Sequence, residues 1–154
     1  MMARVSRSTA FSLVELVTML AILGVLSAIA LPRYASSLAL YRAQAAAARI
    51  AADLDLARSQ GRISSVGQSV VFNVATNSYG LPGVAGLTGQ PTPYTVTLSA
   101  DPYSATLVST TFTAGMLTFD RYGQASAGGT IVVRSGVYTK SITVDANTGQ
   151  AAMQ

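Results

Sequence analysis

The chain has 154 residues, half of them hydrophobic, and a formal charge of +4 from 10 Lys+Arg against 6 Asp+Glu. With no Cys and no His, disulfides, thiolate chemistry and imidazole base catalysis are excluded, and a metal site would need an all-oxygen ligand set. Basic residues form no run of five or six, so no nucleic-acid partner is expected.

The first element is an apolar run over residues 11–31, FSLVELVTMLAILGVLSAIAL, with Glu15 as its one charge. About 20 apolar residues at 1.5 Å each cross a hydrocarbon core of ~30 Å, so the run is long enough for a transmembrane helix. Arg4 and Arg7 precede it without an acid, which favours a cytoplasmic N-terminus and places the remainder of the chain across the membrane. A cleaved secretory signal is the competing reading, but its apolar core is shorter and lacks a glutamate. A carboxylate in a membrane span is costly and marks function. Ser12 and Glu15 also have the S-x-x-E spacing of a capping box, which is compatible with that role.

Helical character continues past Pro32 to Gln60, and Pro32 is expected to kink the helix. Leu40, Ala43, Ala47, Ile50, Leu54 and Ala57 recur at spacings of three and four, which is one apolar face. Arg42, Arg49, Asp53 and Arg58 are read as lying off it, and Gly61 as the stop. From Gln68 the period becomes two. Strands are expected over residues 70–75, 94–99, 105–112, 116–119, 130–134, 138–144 and 150–153. Turn signals separate them at residues 77–80, 101–102, 120–123, 128–129, 135–136 and 145–149, and residues 80–93 read as a long Gly/Pro-rich loop.

The fold class is therefore α+β: a long N-terminal helix, transmembrane in its first half, packed on a small antiparallel sheet or sandwich. No nucleophile motif, phosphate loop or zinc spacing is present, so neither an enzyme nor a cofactor is expected. Asp145, Asn147 and Gly149 are spaced like the start of a calcium loop, but the later bidentate Glu is missing and the same residues suit a hairpin.

The stretch Ala10-Phe11-Ser12-Leu13-Val14-Glu15-Leu16, with its apolar run ending at Pro32, resembles the class III leader of type IV pilins and type II secretion pseudopilins. The resemblance implies that a prepilin peptidase cuts between Ala10 and Phe11, that Phe11 is then N-methylated, and that Glu15, fifth in the mature chain, serves assembly. Ala10 stands where the family usually has Gly. The segments 117–119, 128–133, 141–145 and 149–150, with Gly123 between the first two, resemble the H-type minor pseudopilins and their minor-pilin relatives. That implies a leader over residues 1–10, a polymerisation helix over 11–37 and a periplasmic domain over 38–154, with helix 38–60 and β-region 68–154.

Implied partners are other pilin or pseudopilin subunits, the prepilin peptidase, the inner-membrane assembly platform and inner-membrane lipid. The implied product is a type II secretion pseudopilus or a type IV pilus. The alternatives are a minor pilin that binds DNA or an adhesion target, and a single-span periplasmic protein that never polymerises.

Overall fold

A computed structural model describes residues 11–84 and 93–154. The leader residues, Ala10 among them, and most of the loop expected over 80–93 lie outside the described residues. Helix α1 runs Leu13–Ser64, with the Ser12 carbonyl accepting from the Leu16 N–H at 3.1 Å. The helix continues unbroken through Pro32, which cannot donate to the Ala28 carbonyl. The chain forms two compact units, the first ending at Ala35 and the second spanning Ser36–Gln154.

The second unit is a two-sheet sandwich with part of α1 in its core. Strands β1 (Gln68–Asn73), β2 (Ser78–Leu81), β3 (Tyr94–Thr97) and β5 (Met116–Phe119) form one antiparallel sheet, ordered β3-β2-β1-β5. Strands β4 (Thr106–Thr110), β6 (Gly129–Ser135), β7 (Tyr138–Val144) and β8 (Ala151–Met153) form the other, ordered β4-β6-β7-β8. Alternation puts Val70, Phe72, Tyr79, Leu81, Leu117 and Phe119 inward from the first sheet. Leu107, Ile131, Val133, Ile142 and Val144 face inward from the second, and both sets meet Ala46, Ala47, Ile50, Leu54 and Ala57 of α1.

Three expectations are corrected. The helix does not stop at Gly61: it ends at Ser64, before Ser65 at φ 55°. Gly61 is buried where a Cβ would lie 3.0 Å from the Asp120 carbonyl oxygen, so it allows close backbone approach inside the helix. Residues 77–80 are not a turn. The reversal is made by Val74–Asn77, with Asn77 at φ 50°, and Ser78-Tyr79-Gly80 already pair with Asn73-Phe72-Val71. Asp53 is not off the helical stripe but buried within it.

Candidate functional site

Two carboxylates in apolar surroundings define what the chain can do. The first is Glu15, in the first turn of α1. Every residue from 11 to 35 is exposed, including Phe11, Leu13, Val14, Leu16, Val17 and Leu20. Residues 13–35 of a helix rise about 34 Å, more than the ~30 Å of a hydrocarbon core. α1 is long and apolar enough to cross a membrane. Thr18, the polar residue one turn along, returns its hydroxyl to the Val14 carbonyl at 2.6 Å, so it exposes little unsatisfied polarity. Glu15 has no ion pair among the described residues.

The second carboxylate is Asp53, 5% exposed. Its Oδ2 accepts from the Tyr79 hydroxyl at 2.6 Å, the Tyr94 hydroxyl at 3.0 Å and Arg49 Nε at 3.1 Å. Arg49 also donates from Nη2 to the Tyr94 hydroxyl. One helical turn separates Arg49 from Asp53, so α1 supplies the ion pair, while β2 and β3 supply the phenols.

Burial pushes the Tyr79 phenol well above its ordinary range, and the adjacent Asp53 carboxylate adds to the effect. Burial also raises Tyr94, against the opposing hydrogen bond from Arg49. For Arg49, burial disfavours the charge, but the bond to Tyr94 and the attraction of Asp53 outweigh it and hold the guanidinium above its usual range. The phenols are thus neutral donors, and the guanidinium is a fixed cation. Asp53, Tyr79 and Tyr94 are buried, while the Arg49 side chain is partly exposed at the edge of the cluster. What it does is fix α1 against the first sheet, because every group satisfies another that apolar packing would otherwise leave unpaired.

Sequence reasoning missed this cluster. Its signal was present: Asp53 lies three residues after Ile50 and four after Arg49, within the spacing of the buried face. Asp145, by contrast, lies in the β7–β8 turn. Its Oδ1 accepts from the Asn147 N–H at 2.9 Å, the Thr148 N–H at 2.8 Å and the Thr148 hydroxyl at 3.0 Å. These bonds lower its pKa, the Thr148 N–H contributing most. They make an Asx-type hairpin of the residues spaced like a calcium loop.

A long helix that closes a two-sheet core and begins with an exposed apolar segment is the architecture of a type IV pilin-like structural subunit. The sequence pattern of the type II transport protein GspH matches residues 46–149, and the chain belongs to that family of H-type minor pseudopilins. None of the curated proteins matches it in sequence. The minor pseudopilin EpsH of the Vibrio cholerae type 2 secretion system is similar in fold, with a TM-score of 0.56 at 14% identity, over 73% of this chain and 96% of EpsH. The type IV minor pilin FimU of Pseudomonas aeruginosa gives 0.53 at 15% identity, over 72% of this chain and 91% of FimU. The chain is a structural minor pseudopilin or pilin subunit, and it assembles with other subunits of its kind.

Proposed function

We propose that this subunit is made as a precursor whose residues 1–10 are removed between Ala10 and Phe11 by a prepilin peptidase, after which the Phe11 amine is methylated. The mature helix waits in the bacterial inner membrane, with residues 38–154 in the periplasm. An assembly platform then moves it from lipid into a type II secretion pseudopilus. There Glu15 meets the N-terminal amine of a neighbouring subunit, since either charge left alone in an apolar filament core is expensive.

The observation that carries this reading is Glu15 itself. It is the single charge in residues 11–31, a segment that is apolar and exposed throughout. Membership of a type II transport family favours the secretion filament over a pilus. The test is mass spectrometry of the N-terminal peptide of the protein isolated from membranes. A terminus at N-methyl-Phe11 is expected. An intact Met1, or a cut after Ala28 or Ala30, overturns the processing step and the role given to Glu15.

A further inference from the structure

Among the described residues, the second sheet ends at β8, an edge strand with one free side. β8 pairs with β7 in the register Val144↔Ala151, Thr143↔Ala152 and Ile142↔Met153. The Ser141 N–H donates to the Gln154 carbonyl at 3.3 Å, the Gln154 N–H to the Ser141 carbonyl at 2.8 Å, and the Asp145 N–H to the Gln150 carbonyl at 3.0 Å. Antiparallel strands alternate, so Gln150, Ala152 and Gln154 turn their backbone groups to β7. Ala151 and Met153 then turn theirs to the free edge. Ala152 and Met153 are exposed, and β8 is the last strand of its sheet. An open edge of this kind is a template for another strand.

Beside this edge lies a groove of about 380 Å³, walled by Asp55, Arg58 and Arg62 of α1 and by Gln150, Ala151 and Ala152. Arg58 Nε donates to the Gly123 carbonyl at 3.3 Å, which holds that guanidinium at the groove. Neither Arg58 nor Arg62 is in an ion pair among the described residues. Two guanidiniums face one acid there, so the wall carries net positive charge.

We infer that this edge and groove dock an extended acidic segment of a different protein, which adds a strand alongside β8 and places its carboxylates on Arg58 and Arg62. Main-chain bonds to Ala151 and Met153 give affinity, and the arginines give selectivity for acidic side chains. A second copy of this chain is a poor occupant. Its six acids are Glu15, Asp53, Asp55, Asp101, Asp120 and Asp145, and none of the strands among the described residues contains one. This surface lies wholly in residues 36–154 and does not depend on the roles proposed for Phe11 and Glu15, so either can fail alone.

The test uses the full chain in detergent micelles, with amide hydrogen exchange followed by NMR. The probe is a short synthetic peptide of alternating Val and Glu, and the control alternates Val and Lys. Saturating Val/Glu peptide should slow exchange at Ala151 and Met153 by about tenfold or more, and the control should not. Arg62→Gln should weaken peptide binding about two- to fivefold. Met153→Pro should abolish strand addition while leaving the β7–β8 ladder intact, because its N–H faces the free edge. Unchanged exchange at the two amides overturns the inference, and so does equal slowing by the Val/Lys peptide. A DNA oligonucleotide that shifts Arg62 without protecting either amide overturns it in favour of nucleic-acid binding.

Discussion

The two units of this chain treat the same chemical difficulty in opposite ways. Residues 36–154 bury Asp53 in an apolar core and supply three donors to it from three elements. Residues 11–35 carry Glu15 on an apolar helix and supply no ion-pair partner among the described residues. A carboxylate removed from water without partners is one of the costliest arrangements a protein can hold. An acid that is fully paired within its own chain stabilises a fold. An acid left open on an apolar surface points to a partner outside the chain. The difference separates residues 36–154, which satisfy their own buried acid, from residues 11–35, whose acid we propose a neighbouring subunit satisfies.

The largest expected effects break this contrast from each side. Asp53→Ala leaves the Arg49 guanidinium and two buried hydroxyls without their acceptor, which should cost about 3–5 kcal/mol of folding stability. Urea denaturation of the full chain in detergent, followed by tyrosine fluorescence, measures it. A loss below about 1 kcal/mol would mean that the core tolerates the cluster's removal and that the packing alone holds α1.

Glu15→Gln should leave that denaturation curve unchanged. Under the proposed pairing it costs on the order of 3–5 kcal/mol only where a neighbour's amine is buried. Processing and membrane level should be normal, while recovery in sheared filament or crosslinked fractions collapses. Wild-type recovery would return Glu15 to a helix-capping role.

Tyr79→Phe sharpens the Asp53 result. It removes one donor but leaves the acid bonded to Tyr94 and Arg49, so the expected loss falls to about 1.5–3 kcal/mol, the range for a hydrogen bond to a charged group. The same denaturation measurement should rank it between wild type and Asp53→Ala. A loss equal to that of Asp53→Ala would show that the three donors act as one unit.

Much of this molecule was legible from residue order. Periodicity of 3.6 found the buried face of α1, with Ala43, Ala47, Ile50, Leu54 and Ala57 all in the core. Periodicity of two found β1 and β3 to β8 to within a few residues. β2 was hidden because Asn77, Ser78 and Gly80 are turn formers, and only tertiary context makes Gly80 a strand residue opposite Val71. Gly61 misled for a related reason: local sequence does not record that the Asp120 backbone will lie against it. The Asp53 cluster joins residues 26 and 41 positions apart, so the phenols that satisfy the acid cannot be read from its own neighbourhood.

Asp145 supplies the smallest effect, because its partners lie within its own turn and it is fully exposed to solvent. Its folded-state pKa lies below the ordinary 3.8, chiefly through the Thr148 N–H bond. A group with a depressed folded pKa contributes stability that is complete above its unfolded pKa and is lost as pH falls through the folded value. The Asp145 contribution should therefore be whole at neutral pH and disappear as the medium is acidified below the ordinary carboxylate range. Asp145→Asn keeps an Oδ1 that can accept from Asn147 and Thr148, so the hairpin should survive. What it removes is the titration. Wild-type stability minus variant stability, measured from about pH 5 down to about pH 2, should decline as the acid protonates. Asp53 does not interfere, since it is unchanged in both proteins and cancels in the difference. Parallel curves over that interval would show that the turn bonds do not distinguish carboxylate from amide, and that Asp145 serves the hairpin through its shape alone.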